Sequence, residues 1–272
     1  MSTQIQLTDT RTLNRFRARA SRDALFLQES AADEIQDRMS LVNRAFTAPA
    51  VVTPFPEIWQ TRLPQARIVP ENETLTLDVS AHDLVIHATA LHWSNDPVGQ
   101  LIQCRRSLKP DGLMIAATLG GQTLEELRSV LGQAEITATG GLSPRILPMG
   151  EIRDLGSLLQ RAGFALPVAD SLPLIAEYRD AWHLMHDLRQ MGEANALVQR
   201  QRKTPPRAMF EEAERLYRTA YPGREGRIKA TFELVFLTGW APDASQQQPL
   251  RPGSAKQRLA DALSVPETPL SD

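Results

Sequence analysis

Two spacings of apolar residues divide the chain. Near the start, Leu13, Phe16 and Ala20 recur at i, i+3 and i+7, which predicts a helix within residues 9–46. Arg15, Arg19 and Arg22 form a separate stripe on that segment. A second helix is expected from Ala24 to Val42, where "SAADEIQDRM" is rich in helix formers and places its acids early. From residue 50 the pattern changes to short apolar runs: Ala50–Val52, Ala66–Val69, Asp83–Ala88 and Leu113–Leu119 each predict a buried strand. Helical segments lie between them. "PEIWQTRL" is a short helix with Pro56 in its first turn, and "DPVGQLIQCRRSL" puts Leu101, Cys104 and Leu108 on one face. "KPDG" at Lys109–Gly112 reads as a turn. After Gly120-Gly121 a helix runs through "TLEELRSVLGQAE". A Gly/Pro-rich loop follows, then the helix "EIRDLGSLLQRAG", closed by Gly163. Strands separated by helices imply right-handed crossovers and a mostly parallel sheet, an α/β fold.

Later segments depart from that alternation. Two helices flank Thr204-Pro205-Pro206, and "RIKATFELVFLTGWAP" returns to a β pattern. The expected organisation is N-terminal helices over 1–48, an α/β core over 49–170, a helical insertion over 171–225, a return strand over 226–242 and a polar tail over 243–272.

Composition removes several function classes. The chain has 272 residues, 42% hydrophobic and 23% charged, with a net charge of −2. That charge provides no field for nucleic acid. Its one cysteine, Cys104, permits no internal disulfide and fits a reducing compartment. "MSTQIQLTDTRTLNRFRARASR" lacks the apolar core of a secretory signal, and no stretch approaches the ~20 apolar residues of a bilayer span. A soluble, cytoplasmic protein is expected. The arginine stripe reads as a solvated helix face, with peripheral membrane contact or an acidic partner as the other options. His82, His87 and His92 recur every five residues, a step that suits no helical metal pair. His183 and His186, beside Asp187, lack a third ligand. No metal is therefore expected. Cys104 reads as core, no G-x-S-x-G elbow occurs, and no catalytic residue is identified.

One bend breaks the expectation for a nucleotide-binding sheet. "AVVTPFPEIW", Ala50 to Trp59, carries two prolines and no glycine where a glycine-rich loop would sit. Further on, "DLVIHATALHWSNDP", "RRSLKPDGLMIAATLGGQTLEELR" and "GGLSPRILPMGEIRDLGSLLQRAGF" occur in an order and spacing that resemble the second half of a class I S-adenosylmethionine-dependent methyltransferase domain. "LMHDLRQMGEANA" and "TFELVFLTGWAPDASQ" extend the resemblance over roughly Arg11 to Ala255. It is nearest to the complex I assembly factor 5 group, and more distantly similar to the malonyl-acyl-carrier-protein methyltransferase of biotin synthesis.

The resemblance implies a Rossmann-like, doubly wound sheet with the methyl donor at the carboxyl ends of the first strands. It also implies a D-x-G-x-G-x-G loop. Here Val51 stands at the acid, and Thr53, Phe55 and Glu57 at the glycines. Side chains there occupy space a ligand needs, and Pro54 and Pro56 have no N–H to offer. One strand–helix unit is missing, since Leu63 and Pro64 run almost directly into Ala66. The acid that would hold the ribose hydroxyls is lost with it, and Glu71 is the candidate for the adenine acid, offset by one. Donor binding is expected to fall to the millimolar range or weaker. Pocket candidates are His92 and Trp93, which follow a strand at the crevice end, Gly120 and Gln122, which follow the strongest strand at a place where such folds bind substrate, and, in the region that the resemblance implies covers substrate, Tyr178, Asn195, Arg227 and Thr231.

Two functions follow. One is a methyltransferase-like binding or assembly factor with a degenerate donor site, its partner a respiratory complex I subunit or assembly factor. The other is an enzyme: a methyltransferase acting on a small acid or carrier-bound acyl group, or a protein-arginine hydroxylase. A different ligand in the same crevice is a third, blander reading.

Overall fold

The computed structural model describes residues 6–247. Two units divide the chain at Pro242. In the second, Asp243 Oδ1 accepts from Ser245 N–H at 2.9 Å, a tight turn at its start; the rest of the expected polar tail lies outside the described residues.

The first unit opens with helix α1 (Thr10–Arg17), whose first turn is capped by Asp9. A 3₁₀ turn (Arg22–Ala24) leads into α2 (Phe26–Leu41). The core follows: β1 (Pro49–Val52), α3 (Pro56–Arg62), β2 (Arg67–Val69), β3 (His82–Ala88), a 3₁₀ turn (Leu91–Trp93), α4 (Pro97–Ser107), β4 (Leu108–Leu119), α5 (Glu125–Thr139), α6 (Ile152–Arg161) and β5 (Ala165–Tyr178). Helices α7 (Ala181–Gln190) and α8 (Arg207–Ala220) precede β6 (Ile228–Trp240).

The six strands lie in the order β2-β1-β3-β4-β6-β5. β2, β1, β3 and β4 pair in parallel, and β6 runs antiparallel to both β4 and β5. This is the mostly parallel, doubly wound sheet the sequence predicts. From β1 the chain winds first to one side and then, at β3, to the other, which opens a crevice at the carboxyl ends of β1 and β3. Strand alternation sends Val51, Ile86, Ile115 and Phe236 to the face covered by α2, α3, α5 and α8. Val52, Val85, Met114 and Leu237 meet α4 and α6 on the other face. Cys104 sits in that second layer, fully buried, and desolvation pushes its thiol up to about 12.

Two expectations need correction. The core does not end at residue 170: β5 continues to Tyr178, and the helical excursion starts with α7. β5 was hidden by Pro167 and Pro173, which have no N–H for a ladder and are tolerated because β5 is an edge strand, paired with β6 alone. The "KPDG" turn is drawn into the long β4, with Asp111 at φ 56° absorbing the bend.

Candidate ligand crevice

The bend after β1 is used up by its own fold. Thr53 N–H donates to Val69 O at 3.0 Å, tying β1 to β2. Phe55 N–H donates to Thr53 Oγ1 at 3.1 Å. Pro54 and Pro56 have no N–H, so residues 53–56 present no free amide to a ligand. The Phe55 ring does not project into the crevice as the sequence suggests. It is 3% exposed and belongs to the core with Ile58 and Trp59. Val51 is fully buried on β1, and Glu57 is half-buried in the first turn of α3.

β2 pairs directly with β1, the place the second strand holds in a doubly wound sheet. Glu71 therefore follows the strand beside β1. Its carboxylate is engaged by the Arg17 guanidinium, descending from α1. An open groove passes Thr53, Pro54 and Pro56 and is bounded by these two charged groups.

Arg17 begins a buried chain of polar contacts. Its Nη2 lies 4.0 Å from Glu193 Oε1. Glu193 Oε2 accepts from Trp93 Nε1–H at 2.6 Å and lies 3.3 Å from His92 Nε2. His92 Nδ1 is 3.4 Å from Thr118 Oγ1 at the end of β4. Burial alone would raise the Glu193 pKa, but His92, Arg17 and the Trp93 N–H outweigh it and hold the carboxyl below its ordinary value. Gly192 brings Glu193 here. Its φ is +81°, and a Cβ would stand 3.0 Å from Arg17 Cα, so only glycine permits the approach of this turn to α1. Asp9 N–H donates to Ala196 O, which completes the contact.

Behind this wall lies a chamber of about 210 Å³. Leu27 (α2), Leu127 and Leu131 (α5), Met185 (α7), Phe210 (α8) and Phe232 (β6) line it. Trp93 and Glu193 face it from the wall, while Trp93, Arg17 and Glu71 face a small recess on the crevice side. The loop over the chamber is held by Glu135, which accepts from Arg145 at 3.0 and 2.6 Å and from Ser143 Oγ at 2.6 Å.

The predicted pocket residues scatter. Trp93 and Asn195 line the chamber, and His92 stands in the wall. Gly120 is a packing position, where a Cβ would meet Val235 at 2.8 Å and Leu155 at 2.9 Å. Gln122 is exposed in a tight turn, its N–H bound to Glu233. Tyr178 is buried with its hydroxyl on Asp187, Thr231 binds Glu126, and Arg227 is exposed before β6. None of these five reaches the chamber. Among the described residues no cluster of three or more potential ligands could hold a metal ion, and no helix is long and apolar enough to cross a membrane. Arg17 and Glu193 were not among the predicted residues. Arg17 had a readable signal: it stands four residues after Leu13, a charge set on the apolar stripe of α1.

Over 203 residues the chain is 36% identical to the arginine-hydroxylase NDUFAF5, mitochondrial, of Danio rerio, covering 75% of this chain and 63% of that one. The Homo sapiens protein of that name is 37% identical over 196 residues, 72% of this chain and 56% of its own. A malonyl-[acyl-carrier protein] O-methyltransferase of Laribacter hongkongensis is 34% identical over 188 residues, 69% of this chain and 61% of that one. The chain thus spans less than two thirds of the length of these curated relatives. Among solved structures, a putative methyltransferase from Bacillus halodurans aligns with TM-score 0.47 at 12% identity, covering 78% of this chain and 99% of that one. No family model matches the chain. From its sequence similarity to these relatives and its strand order, the chain belongs to the class I S-adenosylmethionine-dependent methyltransferase superfamily.

Proposed function

We propose that the chain is a methyltransferase-like binding or assembly protein whose methyl-donor site is degenerate. The observation that carries this reading is the commitment of every amide between residues 53 and 56 to the fold itself, together with the pairing of Glu71 to Arg17. These residues do not fit a nucleoside. The bend has no donor for it, and the one acid beside β1 already has a partner. A hydrogen bond to a charged group contributes about 1.5–3 kcal/mol, and each 1.4 kcal/mol is tenfold in affinity. Losing two or three such bonds takes a micromolar ligand to millimolar or weaker. The partner class is a respiratory complex I subunit or assembly factor, as the assembly-factor resemblance implies, and we place the protein in the cytoplasm.

Calorimetry with S-adenosylmethionine tests the first half, with a millimolar or weaker Kd expected; a micromolar Kd overturns it. Quantitative affinity purification tests the second half. Enrichment of one defined protein supports it, and a profile equal to a mock purification counts against it.

A second reading, a working methyltransferase or arginine hydroxylase, is favoured by the wall, where His92 and Trp93 are held beside an intact chamber. Transfer of label from the methyl donor to a cell extract, lost in His92→Ala, would support the methyltransferase branch.

A further inference from the structure

We infer that the chamber behind the Trp93–Glu193 wall binds an aliphatic-chain anion, with the chain inside and the anionic head on Arg189. This is independent of whether the donor site works. The walls set the chain. Apart from Arg189 at the end of α7, the lining from α2, α5, α7, α8 and β6 is leucine, methionine and phenylalanine, and the volume of about 210 Å³ exceeds the roughly 150 Å³ at which an apolar protein cavity stays dry and takes up benzene.

Charge sets the head. Of the charged groups on the lining, Arg145 is committed to Glu135 in two hydrogen bonds. Glu193 is committed to His92, Trp93 and Arg17. Oε2 of Glu193 is taken by Trp93 and His92, while Oε1, 4.0 Å from Arg17 Nη2, is buried with no hydrogen-bond partner, so it offers an anionic head nothing but repulsion. Asn195 gives its amide to Pro144 O and its oxygen to Leu197 N–H. Of the charged side chains on the lining, that of Arg189 alone has no hydrogen bond or ion pair among the described residues, its carbonyl accepting only from Gly192 N–H in the turn after α7, and it is the one lining residue that is exposed. Its position marks the mouth. A guanidinium at the mouth of an apolar chamber selects an amphiphile whose carboxylate or phosphate stays at the rim.

Titration calorimetry with hexanoate, octanoate and decanoate reads the chain. Burial of each methylene is expected to tighten Kd about twofold per carbon at least, and about fourfold where the methylene is fully buried. Decanol against decanoate reads the head, with decanoate about tenfold tighter. Arg189→Gln, at an exposed position that leaves the fold alone, should bring decanoate to the level of decanol. Leu131→Phe, which fills the chamber, should abolish the dependence on chain length. Absence of heat with decanoate, equal binding of decanol and decanoate, or an Arg189→Gln variant that binds decanoate like the parent each overturns the assignment. A free acid and a lipid share this chemistry. Vesicles of anionic phospholipid that displace decanoate identify a lipid chain and failure to displace identifies a free acid, and both results uphold the chamber.

Discussion

The two halves of the sheet's carboxyl edge have opposite economies of space. At β1 and β2, side chains have taken the place of a loop: Phe55 fills the core, Thr53 and Val69 lock the backbone, and Arg17 closes on Glu71. Where β4 ends and β6 begins, helices α5, α7 and α8 stand off the sheet and leave a lined chamber. Between them runs the wall of Glu193, His92 and Trp93. The comparison teaches that losing a ligand loop removes the donors before it removes the space. Phe55 turns into packing and an open groove without a free amide remains beside it, while a neighbouring cavity is built from different elements.

The largest effect should come from Phe55→Ala. In a packed bend, truncating this nearly buried ring costs about 3–5 kcal/mol, on the order of 10 °C in Tm, and leaves S-adenosylmethionine binding unimproved. In a bend that merely blocks a ligand loop, the same change would open room, tighten the methyl donor and cost little. Thermal unfolding and calorimetry on one preparation separate the two outcomes.

Glu193→Gln tests the wall. The amide oxygen still accepts from Trp93, but Arg17 loses one of its two carboxylates, and a loss of about 2 kcal/mol is expected in urea unfolding. The pH profile sharpens this. Because the folded pKa of Glu193 lies below its ordinary 4.5, the unfolded chain binds the proton more readily. Its stabilisation is complete above about pH 4.5 and is lost as pH falls through the folded value. Asp83 and Glu135 are depressed too and share that acid limb, so Glu193→Gln should shrink it without removing it. A shallower limb begins higher. His87 is fully buried with Nε2 at 2.6 Å from Gln100 Oε1, and burial lowers its pKa from 6.5. Stability should therefore begin to fall below about pH 6.5, and His87→Gln should erase that first decline in a series of urea midpoints.

How much of this could be read from the sequence depends on the distance over which each feature acts. The apolar runs at Ala50–Val52 and Leu113–Leu119 are local, so the parallel core and the absence of a glycine loop were legible. β5 was not, because its prolines forbid a central strand and only the pairing with β6 shows it to be an edge. The site was partly legible. "HW" stood out because it follows a strand at the crevice end, but its partner Glu193 is a hundred residues away and reaches it through Gly192, whose close approach to Arg17 no periodicity encodes. Gly120 and Gln122 were drawn to the pocket by their place after the strongest strand. The structure spends them on packing and a turn, with Glu233 of β6 tying the turn down.

The smallest test returns to the bend. Thr53 Oγ1 holds the Phe55 N–H at 3.1 Å, both groups buried. Thr53→Ala removes the acceptor and leaves that amide without its partner, which should cost about 1 kcal/mol. The freed N–H is then the one amide in residues 53–56 able to meet a ligand. If a single donor were all that the donor site lacked, Thr53→Ala would tighten S-adenosylmethionine binding by about tenfold. With Pro54 and Pro56 still in place and Arg17 still on Glu71, no such gain is expected. A Kd unchanged from the parent, beside a small fall in the urea midpoint, would show that the bend is held by several independent closures rather than by one.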